Sequence, residues 1–403
     1  MIAQTRDDPG ERGACMQGRA LLVLSIMAAA VLSAACAPPP QPTVPPGPGP
    51  LSLGAGDVFG DDVTTGAALS NDGAVVAFSS KATNLVPTDT NGSTDTFVRN
   101  RANGEVRRIA EATVESPHVS GNGRFVSFVA LGGSYGVFDR NSGTAVSWNA
   151  PTGLTAPVVP DDGSVAIYGR TGSFGAFSTA CRVRDLHTAT EVDCPHGGPG
   201  YGTVALDAVS RNGRFVLYYW LDQNGGGTSG RLIWDRRSDT IEAAPSGLIV
   251  FGNSVRISDD GRYVAATDFT PGSPFQPLVF DRQAGTVRML PQPPTSGGVL
   301  PVDISADGTV VALYSEEDLV AADTNGSVDV YLWNTSTDDV TLASRRLDNG
   351  DPLPDGAAPC GVGPGQILAS GEGACVLTNA PLDDSDPFGI TDAWLVPGTV
   401  GTV

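Results

Sequence analysis

Basic residues are scarce in this 403-residue chain, with 24 Lys and Arg against 44 Asp and Glu, a formal charge of −20. Nucleic acids and anionic lipid surfaces are held by basic patches, so this balance excludes both as direct partners. Histidine is scarcer still, with three copies at His118, His187 and His196. Helical patterning is missing: no segment sustains an apolar period of 3.6 residues, and 51 Gly and 31 Pro resist helix interiors along the whole chain. Charged residues make up 17% and apolar residues 40%, a globular balance rather than a disordered one. An apolar run long enough to cross a bilayer as a helix, about 20 residues, is also wanting.

What is present begins at the N-terminus. Residues 21–35, "LLVLSIMAAAVLSAA", follow Arg19 and end in small residues, which predicts a signal peptide over residues 1–36. Asp7, Asp8 and Glu11 are foreign to such a signal, so translation is expected to begin at Met16. The signal closes on "LSAAC", which resembles a bacterial lipobox with Cys36 as the lipidated residue, although Ser33 occupies the usual Leu position. Cleavage at the same bond by an ordinary signal peptidase is the alternative. A proline-rich tether, residues 37–50, would then hold the domain of residues 51–403 away from a membrane. The expected location is extracytoplasmic: anchored to the cell membrane as a lipoprotein, with no other membrane contact, or secreted.

With Cys15 and Cys36 set aside, four cysteines remain in an oxidising compartment. Cys181 and Cys194 bracket "RVRDLHTATEVD", a hairpin turning near His187 and Thr188 that would bring them face to face. Cys360 and Cys375 form the second expected disulfide. A zinc site is the competing idea, but the close Cys pairs zinc takes are absent.

The rest of the chain repeats itself. A small residue, two polar residues and Gly precede an alternating apolar run seven times, in "SNDGAVVAF", "SGNGRFVSF", "PDDGSVAIY", "SRNGRFVLY", "SDDGRYVAA", "SADGTVVAL" and "SGEGACVLT". Asn-Gly and Asp-Gly between apolar alternations signal tight hairpins. A further strand follows each, as in "GVFDR", "LIWDR" or "LVFDR", commonly with another turn and strand after it. Four strands every 40–50 residues, seven times over, predict an all-β fold: a seven-bladed β-propeller of four-stranded antiparallel blades. The stretch "RRLDNGDPLPDGAAPCGVGPG" reads as a long loop entering the last blade. After "DAWLV" (392–396) too little chain remains for a fourth strand, so residues 51–55 are expected to supply it and close the ring.

The unit "S-x-D-G-R-x-V-A-F" followed by "V-F-D-R-x-x-G" resembles the WD-like propeller repeats of the TolB family of bacterial envelope proteins. The resemblance spans residues 51–403 and implies a fold more than a role. At two turns the chain departs from the pattern: Pro160 replaces the leading Ser, and Glu372 stands where Asp precedes Gly.

Candidate sites are few. The loop copies Asp89-Thr-Asn91-Gly92-Ser-Thr-Asp95, Asp323-Thr-Asn325-Gly326-Ser-Val-Asp329 and Asp386-Pro-Phe-Gly389-Ile-Thr-Asp392 space oxygen ligands around a Gly turn. Two readings are open: a calcium loop, which needs six or more oxygens, or a Gly turn whose Asp caps backbone amides. No cofactor other than calcium is implied. Two motifs imitate a serine hydrolase, "HGGPG" (196–200) and "GGSYG" (132–136) around Ser134. A nucleophile elbow needs a strand before and a helix after, whereas Ser134 lies between predicted strands, so that activity is not expected. Two residues before each turn lies a channel-facing position, giving Ala68, His118, Val158, Ala208, Arg256, Asp303 and Leu368. His118, Arg256 and Asp303 would serve a ligand at the channel mouth, or polar contacts around trapped water. Loop aromatics such as Tyr201, Phe269 and Phe275 would offer a binding surface. The expected role is a monomeric, non-enzymatic binding or scaffold module for an envelope protein or glycan. The alternative is a glycan lyase or hydrolase at the channel mouth, using acid pairs such as Asp161/Asp162 or Asp259/Asp260.

Overall fold

The computed structural model describes residues 47–112, 116–149, 156–169, 181–195, 201–222, 229–244, 255–268, 276–291, 298–386 and 389–398. The expected signal peptide, the expected start at Met16, Cys36 and most of the expected tether lie outside these residues. The described residues form strands and turns only, in seven antiparallel sheets. Blade 1 comprises Thr64–Leu69, Val75–Ser80, Asp95–Asn100 and Glu105–Glu111, hydrogen-bonded in that order. The same meander recurs in blades 2 to 7. In blade 3 the first strand shrinks to a single bridge between Val158 and Ile167. First strands of neighbouring blades touch one another, while fourth strands such as Glu105–Glu111 and Thr144–Asn149 face solvent. The first strands therefore line the axis.

The core explains why no blade stands alone. Buried apolar residues fall into seven clusters, each drawn from two adjacent blades. Between blades 5 and 6, for example, Ala265 and Val279 pack with Ile304, Val311, Leu313 and Trp333. A sheet with two apolar faces would leave both wet if isolated; radial stacking covers each with a neighbour.

The repeat motif is consumed in building this ring. In the blade 4 turn, Ser210 Oγ accepts from the Phe215 amide and donates to Asn212, whose side chain caps the Arg214 amide. Arg214 grips Asp235 on the third strand through two hydrogen bonds of 2.9 and 2.6 Å and lies over the Phe215 ring. Arg236 returns to the turn and donates to the Gly213 carbonyl. Blades 2 and 5 repeat the grip with Arg124–Asp139 and Arg262–Asp281. The turn glycine serves twice. Gly308 sits at φ +74°, and a Cβ there would meet the Tyr263 ring of blade 5 at 2.2 Å. Left-handed backbone and close blade contact both demand Gly.

Register differs from expectation in blade 7. The turn glycine is Gly371 (φ +76°), not Gly373, which belongs to the second strand, Gly373–Thr378. Leu368 thereby takes the place of the leading Ser, donating its amide to the Gly373 carbonyl as Ser70 does to Val75. Ser370, rather than Glu372, holds the position of the capping Asp. The entry loop is also more structured than a plain loop, because Ala358–Pro359 is itself the first strand of the blade.

The ring closes through the N-terminus, two residues upstream of the expected strand. Gly49–Pro50 pairs with Leu395 and Trp394 in the third strand of blade 7, and the Leu51 amide continues to the Ala393 carbonyl at 2.7 Å. Pro50 is tolerated because this is an edge strand. Arg99 grips Asp57, and Arg101 donates to the Gly47 carbonyl, so the segment is also tied to blade 1. Both expected disulfides are present, with Cα separations of 5.2 Å for Cys181–Cys194 and 5.5 Å for Cys360–Cys375.

Candidate functional site

Three of the five polar residues that meet on the axis come from strands that point there by the period-two alternation. His118, Arg256 and Asp303 are all buried where expected. The blade 7 register puts Gln366, not Leu368, at the seventh channel position; it too is buried and donates to the Ala67 carbonyl at 3.1 Å. A further residue was not anticipated: Arg211, in the turn of blade 4, lies buried in the channel. The strand-based count skips turns. The signal was nonetheless there, since this turn slot holds Asn71, Gly121, Asp161, Asp259, Ala306 and Ala369 in the other blades and a long cation only here.

Asp303 organises the channel. One of its oxygens, Oδ2, accepts from Arg211 at 2.9 Å and from the amides of Gly365, Gln366 and Ile367 at 3.0, 2.9 and 3.1 Å. Those amides belong to residues 361–366 and the strand edge after them. This stretch leaves the first strand of blade 7 after Cys360 and rejoins it at the Ile367–Ala374 bridge. On its way it accepts from Leu69 at the Gly365 carbonyl and donates from Gly363 to Val302, so it spans blades 6, 7 and 1. Arg256 gives its donors to the backbone carbonyls of Val302 and Val255. Burial pulls its guanidinium down to about 10, which leaves it charged near neutrality. His118 is brought beside Arg211, and burial, helped by that cation, lowers its imidazole to about 3. It is therefore neutral at physiological pH. His118, the Arg211 Nε and Nη1 and the Gln366 Oε1 have no protein partner among the described residues, which suits water trapped on the axis.

The acid pairs proposed for catalysis are committed elsewhere. Asp161 accepts from the Asn122 amide at 2.7 Å and Asp259 from the Asn212 amide at 2.9 Å, each joining two blades. Asp162 and Asp260 cap Ser164 and Arg262 within their own turns. Ser134 opens the strand Ser134–Asp139 with no helix behind it. The "HGGPG" segment, Phe269 and Phe275 lie outside the described residues, and Tyr201 begins a strand rather than a loop. His187 sits exposed in its hairpin turn.

The three acidic loops occupy blades 6, 7 and 1, consecutive around the ring, each joining second strand to third. They therefore lie at the end opposite the S-x-D-G turns. All share one build: Leu85, Leu319 and Leu382 are buried four residues before Asp89, Asp323 and Asp386. Asp95, Asp329 and Asp392 each open the third strand, opposite Ser80, Ser315 and Thr378. All six carboxylates are buried. Their partners differ. Arg108 binds Asp95 at 2.8 Å. Tyr331 donates to Asp323, and Asn325 to Asp329 at 2.9 Å. Asn91 reaches Asp95 only at 3.5 Å. Neither oxygen of Asp386 has a partner among the described residues, and Asp392 keeps only a 2.8 Å bond from Ser52. Burial, then the Asp392 charge, then Asp383 push Asp386 up to about 7; burial raises Asp392 to about 6 against the Ser52 bond. Among the described residues no three His, Cys, Asp or Glu side chains converge as a metal cluster.

An open groove of about 590 Å³ lies between blades 4 and 5, lined by Glu242, Asp260, Arg262, Phe280, Arg282 and Gln283. Arg282 bridges it to Glu242.

No known family model matches the chain, and no curated protein matches it. Solved structures do. An oligogalacturonate lyase from Vibrio parahaemolyticus superposes with a TM-score of 0.51 at 11% identity over 84% of this chain and 91% of that one. A prolyl endopeptidase gives 0.52 at 13% identity over 85% of this chain but half, 50%, of the other. TolB from Acinetobacter baumannii gives 0.38 at 14% identity over 75% and 76%. At such identities the likeness extends to the propeller fold alone.

Proposed function

We propose that the chain is a non-enzymatic binding or scaffold module that works outside the cytoplasm and presents its loops to an envelope protein or a glycan. One observation carries the reading. The carboxylate on the axis is saturated by its neighbours, with four donors on a single Asp303 oxygen. A carboxylate so saturated is a poor general base, and a histidine held neutral down to about pH 3 is a poor general acid. Incubating the mature chain with panels of glycans and peptides should yield no product. Crosslinking in intact cells followed by pull-down should yield one envelope partner. Turnover that disappears in Arg211→Met would overturn the reading.

Location outside the cytoplasm is supported by the two disulfides, which persist in oxidising compartments. Attachment through a lipid on Cys36 fits the lipobox-like "LSAAC" and the tether behind it. Replacing Cys36 with Ser should then release the protein from the membrane fraction; unchanged sedimentation would refute lipidation. A second reading, a glycan lyase or hydrolase, is favoured by the groove between blades 4 and 5, whose volume suits a ligand and which holds Glu242 and Asp260. Glycan turnover abolished by Glu242→Gln would select it.

A further inference from the structure

The seam where the ring closes holds a pair of buried carboxylates with too few partners. We propose that Asp386 and Asp392 bind a calcium ion, and that the ion fastens the N-terminal segment to the last blade. Asp386 is 5% exposed, yet both its oxygens lack a hydrogen-bond donor among the described residues. Asp392 is 1% exposed, and its Oδ2 is equally bare. A buried carboxylate left without a donor or counter-charge costs several kcal/mol, so two together call for a cation.

Comparison among the three loops shows why the vacancy falls here. The loops share the spacing Leu-x3-Asp-x5-Asp and the turn in which the first Asp donates its amide three residues back, from Asp89 to Val86, Asp323 to Val320 and Asp386 to Asp383. In blade 1 both oxygens of Asp89 are as bare as those of Asp386, but a resident guanidinium, Arg108, binds Asp95 and lies close enough to feel the Asp89 charge. In blade 6 it has the phenol of Tyr331 and the amide of Asn325. In blade 7 the position of Tyr331 is Trp394, and the position of Asn325 is Phe388, neither of which can supply those donors. The loop keeps its two carboxylates and has lost what served them.

Calcium suits the pair better than other ions. The donors are all hard oxygens, and Asp386 has two free for a bidentate grip beside Asp392 Oδ2. The remaining positions would fall to loop carbonyls and water. Magnesium demands a tighter octahedron and gives up its water reluctantly.

Position gives the ion its consequence. Ser52 Oγ donates to Asp392 Oδ1 at 2.8 Å and accepts from the Ala393 amide at 3.0 Å, two residues beyond the clasp strand Gly49–Pro50. Thr64 of blade 1 donates to the Thr391 carbonyl at 2.8 Å. An ion that orders Asp392 therefore orders the contacts that join first and last blades.

The test uses the mature chain. With an affinity of about 10⁻⁴ M, typical of extracellular calcium modules, about 5 mM calcium should raise Tm by about 3 °C over EDTA. Terbium should bind and luminesce when tryptophan is excited, because Trp394 lies two residues along the strand from Asp392 on the same face. Asp386→Asn should abolish the Tm response without lowering Tm in EDTA, since it removes an uncompensated charge; Asp323→Asn should keep the response. Magnesium should give less than half the shift. A wild-type Tm unchanged by calcium, with no terbium signal, would mean that the pair shares a proton instead and would overturn the proposal. So would a calcium response that survives in Asp386→Asn.

Discussion

Replacing Asp303 with alanine removes the acceptor that Arg211 and three amides share on the axis. The Arg211 side chain is 3% exposed, so the variant strands a cation out of reach of bulk water. Breaking a buried pair from one side costs about 3–5 kcal/mol, more than the pair itself contributes, because the survivor stays desolvated. The amides of Gly365, Gln366 and Ile367 add to the loss, although water on the axis can serve them. With an unfolding entropy of about 2.1 cal/mol/K per residue, a propeller of about 350 residues has a slope near 0.7 kcal/mol/K, so Tm should fall by about 4–7 °C. Thermal melts followed by circular dichroism measure this directly. The reasoning makes a second, sharper demand. Arg211→Met combined with Asp303→Leu removes both charges and should recover about 1–3 kcal/mol relative to Asp303→Ala. A single variant within 1 °C of wild type, or a double variant that loses the sum of both singles, would show that Asp303 does not organise the channel.

Other expectations follow from the same contacts. Gly308→Ala places a methyl group into the Tyr263 ring at positive φ and should cost about 2–4 kcal/mol. Gly285→Ala, at a similar φ of +67° with open space around it, should cost about 1 kcal/mol; equal losses by denaturant titration would refute the blade-packing argument. Removing Cys360–Cys375 by a double Ser substitution should lower stability by about 3 kcal/mol on the chain-entropy account, and an unchanged melt would contradict it. Acid should act on stability in two stages: between about 7 and 3.8 the raised Asp386 and Asp392 take up protons in the folded chain and oppose the loss at His118, and below 3.8 stability falls. The unfolded chain protonates His118 near 6.5 while the folded chain resists until about 3, so its contribution is full above 6.5 and lost as pH drops. The arginine grips hold Asp139 and Asp281 near 2, so theirs is full above 3.8 and lost below it. In melts from pH 7 to 2, His118→Gln should make the chain gain stability, relative to wild type, as pH falls from 7 to 4, and Arg124→Met should flatten the fall below 3.8.

The architecture was legible because hairpin chemistry is local. Ser, Asp or Asn, and Gly at fixed offsets announce a turn before any long-range contact is known, and seven such turns count the blades. Cys181 and Cys194 were legible for the same reason, since they bracket one hairpin. Blade 7 misled because "ASGEGAC" offers two glycines, and the cue that separates them, a hydroxyl at the head of the turn, is Leu368 there. That two-residue slip is what placed Leu368 rather than Gln366 on the axis. The clasp was displaced because Pro50 reads as tether, while only the register against Leu395 and Trp394 reveals it as strand. Arg211 escaped because a turn residue reaches the axis only once neighbouring blades set its direction. The acidic loops were visible as a spacing, but their differing partners come from Arg108, Tyr331 and Ser52, which lie outside the motif.

Ring closure by the N-terminal segment is the claim on which the rest depends, and amide hydrogen exchange tests it most directly. A chain that begins at residue 58 should exchange the amides of Ala393 and Leu395, which face the N-terminal segment, at least about tenfold faster than the chain that retains Gly49–Pro50, while Val216 and Leu217 across the ring keep their protection. Equal protection of Ala393 and Leu395 in both chains would contradict it.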